Sequence, residues 1–307
     1  LIYQPTSAGK KWLALGWKWF HRALQNQIFA GGVYIQYSTN YHRLMLQTAI
    51  WIQYLSRVAG MNFPQKTVEK LKEAVNWLSV RVDPITGKTP NLGHNDGAYL
   101  QPLCGEYADY RPVVQTASRL FCRQPAFSSG PWDEMSAWFD CLETAELHQS
   151  LIPLNVSGCT RKIGSRDTWA FLQAEKFQGR PAHADQLHVD LWWKGKNIAM
   201  DPGTYRYNAQ PPFDNSLART GVHNTIEIQN QDQMIRAGRF LWLRRASAKI
   251  LLTPQQQIGY SITAEHDGYK TQGFSHRRSI NWDGKFTWII LDEITPIGRG
   301  QKECQFV

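Results

Sequence analysis

The amino-acid sequence predicts a multidomain protein, with a helical domain first and an antiparallel β domain second. In the first half, apolar residues recur every three or four positions, whereas after residue 151 apolar and polar residues alternate in short runs between turns. The length of 307 residues suits about two domains. We therefore predict a helical domain over residues 1–150 and a β-sheet domain over residues 151–307.

Helical spacing defines the elements of the first domain. Trp12, Leu15 and Trp19 recur on one face of the first helix, and Gly60 is a stop signal after the second. A loop rich in Pro, Gly, Asn and Asp, over residues 83–98, separates three earlier helices from two later ones. The predicted helices cover residues 8–27, 41–59, 64–80, 110–122 and 132–148.

Alternation and turn signals define the elements of the second domain. Asp267-Gly268 and Asp283-Gly284 are typical of tight turns between antiparallel strands. Short strands at this spacing favour a stack of antiparallel sheets. The predicted strands cover residues 168–177, 188–193, 225–229, 248–252, 260–264, 277–282 and 286–291.

The composition excludes several classes of protein. An apolar fraction of 42% supports packed cores, and no apolar run approaches the 20 or so residues of a membrane span, so we predict no membrane insertion. The net charge of +9 suggests an anionic partner, but Lys and Arg are dispersed, which argues against a nucleic acid. The 13 tryptophans offer flat apolar surfaces on which sugar rings can stack. Motifs typical of nucleotide-binding enzymes and serine hydrolases are missing from the sequence.

Three residues of the second half have the chemistry of metal ligands. His183, Asp201 and His223 are 18 and 22 residues apart, and each lies near the end of a predicted strand. Two neutral imidazoles and one carboxylate suit a divalent cation, with zinc favoured. The alternative is that these are scattered polar residues with no metal.

A second polar segment runs from Tyr34 to Arg43, at the start of a predicted helix. Tyrosine, histidine, arginine and asparagine side by side can supply a proton donor, a base and a clamp for a carboxylate. The alternative is an ordinary polar helix start. A third polar segment, Asn91 to Tyr99, is explained by a tight turn at Asn95-Asp96-Gly97, and a functional role for it stays open.

These segments resemble the heparinase II/III-like polysaccharide lyases. HADQLHVDLWWKGKNIAMDPGTYRYN is close to the C-terminal signature of that family, HNTIEIQNQDQ continues it, and RRSINWDGKFTWIILDEI resembles the arginine-rich strand and the strand after it. In the first half, GGVYIQYSTNYHRLMLQ resembles the family's tyrosine-histidine-arginine segment, although Ala30-Gly31-Gly32 stands where Asp-Gly is usual. The resemblance extends from about residue 1 to residue 295.

The resemblance implies an incomplete (α/α) toroid followed by an antiparallel β-sandwich. It also implies β-elimination at a uronic acid of an acidic polysaccharide, either glycosaminoglycan-like or alginate-like, by a periplasmic or secreted protein. That reaction needs the substrate carboxylate to be neutralised, a base to remove the C5 proton, and an acid to protonate the leaving oxygen.

By position, the resemblance also implies roles for individual residues. Tyr41 matches the catalytic tyrosine as general acid, with base as a possible second role, and a neighbouring cation such as Arg43 or His42 would lower its pKa. His183, Asp201 and His223 match the ligands of one divalent metal ion, expected to be zinc and mainly structural. The other implied catalytic residue is His42, and the implied substrate-binding residues are Gln36, Asn40, Arg43 and Tyr205.

Two departures from the family pattern leave the function open. Pro181 stands where many members have a histidine base, so the base must be Tyr41 or another histidine such as His42 or His188. The carboxylate-neutralising asparagine would fall before Leu1, so we expect the chain to be a fragment. The alternatives are a metal-stabilised, catalytically weak polysaccharide-binding protein of lyase ancestry and, less favoured, a glycoside hydrolase, which would need two carboxylates across a cleft.

Overall fold

The computed structural model describes residues 6–142, 162–252 and 260–298. The chain divides into two compact units. Unit 1 comprises Leu1–Ile35, His42–Val80 and Ala98–Pro153, and unit 2 comprises Gln36–Tyr41, Arg81–Gly97 and Leu154–Val307. Two short segments of the first half therefore fold with the second half, and a simple domain boundary after residue 150 stays a prediction.

Five α-helices are found within the described residues of the first half. They are α1 Ser7–Gln27, α2 Thr39–Val58, α3 Gln65–Ser79, α4 Arg111–Ala117 and α5 Glu134–Trp138. The first three match the predicted helices within two residues at each end. Helix α5 ends earlier than predicted, with Asp140 at φ 50°, and residues 143–148 of that prediction lie outside the described residues.

Unit 1 is organised around α3. Its Leu71, Ala74, Val75 and Leu78 are fully buried, at the spacing of one helix face. Gly32 packs directly on this helix with φ +83°, and a Cβ there would lie 2.0 Å from a backbone oxygen of α3. Only glycine fits this approach, which explains one of the two glycines before the tyrosine segment.

Unit 2 contains ten described strands, all in antiparallel pairs. The first sheet has the order β1-β2-β3-β4, the second β10-β9-β8-β7, and β5-β6 form a separate pair. The strands are β1 Lys162–Gly164, β2 Thr168–Leu172, β3 Val189–Trp193, β4 Lys196–Ala199, β5 Ile235–Gly238, β6 Leu241–Leu243, β7 Ala248–Leu252, β8 Tyr260–His266, β9 Phe274–Trp282 and β10 Trp288–Pro296.

The predicted strand over residues 225–229 is wrong. Within it, only Ile228 makes an isolated bridge, to Gln231. The residues between them, Gln229 and Asn230, have φ values of 54° and 53°, so the chain turns back at once. Thr225 uses its hydroxyl to hydrogen-bond the carbonyl of Gln186. Strands β1, β4, β5 and β6 were not predicted, because each has only three or four residues and the alternation is too short to recognise.

The two four-stranded sheets share one apolar core. Its members alternate along β2, β3, β8 and β9, as expected for sheet faces that point inward. The fully or almost fully buried members include Ala170, Leu172, Val189, Ile262 and Ile280. Helices first and antiparallel sheets second are therefore confirmed, whereas an incomplete (α/α) toroid and a β-sandwich stay predictions. Among the described helices, none has the length and apolar character needed to cross a membrane.

The opposite face of β2 and β3 holds the segment of residues 81–97. Trp169 and Trp192 stack with their ring centroids 5.0 Å apart, and Leu92 joins this buried cluster. The indole of Trp169 donates a 3.0 Å hydrogen bond to Asp83. These contacts attach the segment of residues 81–97 to the sheet. We call its last part, residues 90–97, the polar loop.

Candidate active site and metal-binding cluster

The start of α2 is tied to the polar loop within unit 2. The backbone N–H of Thr39 donates to the carbonyl of Leu92 at 3.1 Å, and the hydroxyl of Ser38 donates to the carbonyl of His94 at 2.6 Å. The same Ser38 oxygen accepts from the backbone N–H of Tyr41 at 3.1 Å, and so satisfies a free N–H of the first helical turn. Tyr41 and the polar loop are therefore held in one arrangement.

Tyr41 is a proton donor in this arrangement. Its hydroxyl donates a 2.6 Å hydrogen bond to Oδ2 of Asp96. Burial and this bond to the Asp96 carboxylate, with a further contribution from Tyr207, raise the pKa of Tyr41 far above its ordinary value. The phenol is therefore protonated at neutral pH. The expectation that Arg43 or His42 lowers the pKa of Tyr41 is wrong, since a carboxylate and not a cation faces the hydroxyl.

His42 and Asn40 are buried beside Tyr41 in sequence. The imidazole of His42 is fully buried, with Nε2 2.9 Å from the carbonyl of Ala74, and it stacks on Trp77 at a centroid distance of 4.5 Å. This environment favours a structural role for His42, and its catalytic role stays a prediction. Asn40 is fully buried in the first turn of α2, and its substrate contact stays a prediction too.

Arg43 lies in an aromatic box in unit 1. The side chain is fully buried, and its guanidinium donates to the backbone carbonyl of Tyr107. Three tyrosine rings surround the guanidinium at 4.2–4.5 Å from their centroids, namely Tyr99, Tyr107 and Tyr110. Such stacking is favourable for a desolvated cation. The box holds Arg43 as an internal cation, so its predicted role as a carboxylate clamp gains no support from the geometry.

The two remaining predicted substrate contacts are more accessible. Gln36 is half-buried. Tyr205 is 64% exposed, and the guanidinium of Arg206 lies 5.1 Å from the centroid of its ring. Both side chains could reach a ligand, and their roles stay predictions.

The three predicted metal ligands come together, and a fourth residue joins them. One ligand atom each from His183, Asp185, Asp201 and His223 lies within 4.8 Å of the others. Nε2 of His223 is 3.2 Å from Nδ1 of His183 and 3.5 Å from Oδ2 of Asp201. We call these four residues the metal-binding cluster. The prediction missed Asp185, although a carboxylate two residues after a candidate ligand histidine was a usable signal.

The electrostatics of the cluster fit a cation. All four side chains are buried. Burial raises the pKa of Asp185, and it raises the pKa of Asp201 to about 7. Burial also lowers the pKa of His183 well below its ordinary value and that of His223 to about 4, so both imidazoles are neutral with lone pairs available. Oδ1 of Asp185, Oδ2 of Asp201 and Nε2 of His183 have no hydrogen-bond partner among the described residues. Buried carboxylates without a counter-charge are costly, and a divalent ion removes that cost.

Two backbone contacts orient the ligands. Nδ1 of His223 lies 2.6 Å from the carbonyl of Arg219, which fixes the proton on Nδ1 and turns the lone pair of Nε2 toward His183. The backbone N–H of Gly203 donates to Oδ1 of Asp201 at 2.8 Å. Such partners around the ligands are what a preformed metal site requires.

Two further histidines lie beside the cluster. Nε2 of His188 is 3.1 Å from Asp190, and its Nδ1 accepts from the backbone N–H of Asn224 at 3.0 Å, so neither nitrogen is open to accept another proton. The suggestion that His188 is the base therefore fails.

His94, in the polar loop, differs from His188. Its ring is 4% exposed, packs edge-on against His183 and Tyr207, and has no hydrogen-bond partner for either nitrogen among the described residues. Burial and the nearby Arg180 lower the pKa of His94 to about 4, so it is neutral at neutral pH. Sequence reasoning did not select His94, because its neighbours are about 90 residues or more away along the chain.

Comparison with known families identifies the class. Residues 158–307 match the heparinase II/III-like C-terminal family model, and residues 6–101 match the heparinase II/III N-terminus model. The chain belongs to the heparinase II/III-like family. The resemblance noted in the sequence is thereby confirmed.

Individual relatives show where the similarity lies. The heparin-sulfate lyase of Bacteroides stercoris is 28% identical over 120 residues, which cover 38% of this chain and 16% of that protein. A heparinase III structure aligns with 96% of this chain and 44% of its own, at a TM-score of 0.67 and 18% identity. The heparan sulfate lyase of Pedobacter heparinus aligns with 95% of this chain and 43% of its own, at a TM-score of 0.62 and 17% identity. The chain thus spans less than half the length of these relatives, and the structural matches show a shared fold.

Proposed function

We propose that this chain carries part of the active site of a polysaccharide lyase that cleaves a uronic-acid-containing acidic polysaccharide by β-elimination. The observation that carries the proposal is the hydrogen bond from the Tyr41 hydroxyl to Asp96, on a polar loop that also brings His94 to the metal-binding cluster. Family membership supports the reaction class, and the relatives named for heparin and heparan sulfate favour a glycosaminoglycan over alginate.

In this proposal Tyr41 is the general acid. With its pKa raised by burial and by Asp96, the phenol stays protonated over the whole physiological range and can deliver a proton to the departing glycosidic oxygen. Because its pKa is raised, the Tyr41 phenol is unsuited to remove the C5 proton. A different residue is therefore needed as the general base. Tyr205 and Gln36 are proposed substrate contacts, because their side chains are exposed or half-buried.

The metal-binding cluster is proposed to be structural. Two histidines and two carboxylates suit zinc best, and a bound ion would supply positive charge that ties together the segments bearing these residues. Asp201 lies four residues before Tyr205, and His183 touches His94, so an ordered cluster would also order the residues around Tyr41. We further propose that the protein acts outside the cytoplasm, where such polysaccharides occur.

The test is the release of products with an unsaturated uronate end, measured by ultraviolet absorbance on heparin, heparan sulfate, hyaluronan, chondroitin and alginate. We expect signal on at least one glycosaminoglycan. Tyr41→Phe should lower kcat by about 100-fold or more with KM little changed, since the ring stays and only the proton donor is lost. Tyr34→Phe is the matched control, because its hydroxyl makes a 3.4 Å contact with Gln27 in unit 1. Full activity in Tyr41→Phe would disprove the acid role.

A second candidate function is a catalytically weak polysaccharide-binding protein of lyase ancestry. Pro181 favours it, because proline cannot replace a histidine that accepts a proton. Binding to the same panel without any ultraviolet signal, in protein with a full complement of metal, would support this candidate and reject the lyase.

A further inference from the structure

We propose that Asp96 is the positioning residue of Tyr41, and that its carboxylate aims the phenol hydroxyl through their 2.6 Å hydrogen bond. The inference rests on the proposed function for its kinetic consequence, while the pairing itself can be measured without substrate.

The polar loop that carries Asp96 is attached to the start of the helix that carries Tyr41. The hydroxyl of Thr39 donates to the carbonyl of Pro90 at 2.9 Å, and Ser38 binds the loop at His94 while also contacting the N–H of Tyr41. The loop is thus attached at the helix turn that carries Tyr41. The two side chains are 55 positions apart in the sequence, and the segments just before them are joined by hydrogen bonds from Ser38 and Thr39 to the polar loop.

The inside of the loop also fixes the direction of the carboxylate. The backbone N–H of Asn95 donates to Thr204 at 3.0 Å, and its side-chain amide donates to Asn91 at 2.9 Å. The side-chain oxygen of Asn95 accepts from the N–H of Gly97 at 3.1 Å, closing a turn around Asp96. At Gly93, with φ +68°, a Cβ would fall 2.3 Å from a backbone oxygen of the tyrosine segment, so the loop can approach this closely only with glycine.

The charges around the pair decide the direction of the effect. Tyr41 faces the carboxylate of Asp96 and the phenol of Tyr207. Neutral His94 interacts with Asp96, and Arg180 interacts with His94 and Tyr207. A carboxylate beside a phenol stabilises the protonated form, because the phenolate would repel it. Removal of the negative charge should therefore lower the pKa of Tyr41. Burial of the phenol should still hold this pKa above its ordinary value.

The first experiment is a spectrophotometric titration of tyrosine ionisation in the purified protein without substrate. The chain has 12 tyrosines, so the signal of Tyr41 is taken as the difference between each protein and its Tyr41→Phe counterpart. In Asp96→Asn, we expect Tyr41 to ionise about one pH unit or more lower than in the wild type. Asp283→Asn, in the turn between β9 and β10, is the matched control and should leave the titration unchanged.

The second experiment is the pH profile of lyase activity. Asp96→Asn should lower kcat by about 10- to 100-fold with KM within about twofold, and should move the alkaline limb of kcat/KM to lower pH. Asp96→Glu should restore part of the activity and the alkaline limb. The effect of Asp96→Asn on kcat should vanish in the Tyr41→Phe background, because the two residues act as one unit.

The outcomes separate the two proposals. An unchanged Tyr41 titration in a folded Asp96→Asn protein would overturn the positioning role, whatever the activity. A shifted titration together with full activity in Tyr41→Phe would uphold the pairing and reject Tyr41 as the acid. A fall in kcat with an unmoved pH profile and no rescue by Asp96→Glu would mean that Asp96 serves only the shape of the loop, and would also overturn the proposal.

Discussion

Unit 2 contains two groups of buried histidines paired with carboxylates, and the two groups differ in what balances the negative charge. The metal-binding cluster has two histidines and two carboxylates within 4.8 Å. The second group, which we call the Arg278 cluster, consists of His266, His276, Arg278 and Asp292. Both lie in the sheet-rich unit, and both keep their histidines neutral by burial.

The Arg278 cluster carries its own cation. Nδ1 of His266 accepts from the N–H of Gly268, so His266 donates from Nε2 to His276 at 3.0 Å, and His276 donates to Asp292 at 2.6 Å. Arg278 closes the chain with two 2.7 Å bonds to the carboxylate of Asp292. Each proton in this series of hydrogen bonds has a defined donor and acceptor, and the positive charge of Arg278 balances the negative charge of Asp292.

No lysine or arginine pairs with the carboxylates of the metal-binding cluster among the described residues, and three polar atoms of the cluster lack a hydrogen-bond partner there. A group of His and Asp residues is therefore not enough to distinguish a structural hydrogen-bond network from a metal site. What distinguishes them is whether an arginine supplies the positive charge from within the fold or an ion must supply it from outside.

The largest expected effect is the response to a chelator. If metal is present at about 1,000 times its Kd, its removal should cost about 4 kcal/mol, or a fall in melting temperature of about 10 °C. His183→Ala should melt low and be insensitive to the chelator, whereas Arg278→Met should keep the full chelator response. Differential scanning calorimetry measures the melting temperatures, and elemental analysis measures the bound metal. If the chelator leaves the melting temperature of the metal-loaded wild type unchanged, the two clusters do not differ in their need for a metal ion.

The next effect is loss of the internal cation. Arg278→Met should reduce the free energy of unfolding by about 3 kcal/mol, because Asp292 and the carbonyls of Leu187 and Asn224 lose their donor. The matched control is Arg277→Met on the same strand. Its side chain is 47% exposed and pairs with Glu265 at 3.2 Å, so the expected loss is under about 1 kcal/mol. Urea unfolding should separate the two variants, and equal losses would show that the Arg278 cluster contributes no more than a surface pair.

The smallest effect is the acid dependence of the Arg278 cluster. Burial alone would raise the pKa of Asp292, but the hydrogen bonds from His276 and Arg278 lower it to about 2. A pKa of Asp292 that is lower in the folded than in the unfolded protein stabilises the folded state above about pH 4, and this contribution is lost as pH falls toward 2. Because Asp292 is partly exposed, solvent screening reduces the contribution to about 1 kcal/mol. Burial also lowers the pKa of His266 and His276, so their contribution is lost in the same direction, beginning below about pH 6.5.

Urea unfolding at a series of pH values between 2 and 7 checks this slope. Asp292→Asn should show a flatter dependence between pH 4 and 2 than the wild type. Parallel curves for the two proteins would place the acid sensitivity elsewhere in the molecule.

Much of the fold could be predicted from residue patterns. Helices α1 and α2 were predicted from apolar residues at helical spacing, α3 was predicted from the start signal at Pro64, and β7 was predicted at its observed bounds. Short strands such as β5 and β6 were not predicted, because three or four residues are too few to show a periodic pattern. The segment after His223 alternates like a strand, but its turn at Gln229 and its side-chain hydrogen bonds prevailed over the pattern.

The candidate site was predictable only in part. His183, Asp201 and His223 could be selected because imidazole and carboxylate chemistry is visible in a list of residues. Asp96 and His94 could not, since a polar loop with Asn-Asp-Gly reads as a turn, and its neighbours are distant in the sequence. Arg43 was selected for its charge, yet three tyrosines enclose it.

The order of helices and strands, the family, and three of the four residues of the metal-binding cluster can be read from the amino-acid sequence, because local periodicity and side-chain chemistry are properties of neighbouring residues. Which charges meet depends on the folded chain. It placed Asp96 and not a cation on Tyr41, added Asp185 to the metal-binding cluster, and gave Arg278 rather than an ion to Asp292. The physical reason is that a pKa and a ligand set depend on distance and burial in space, which spacing along the chain does not specify.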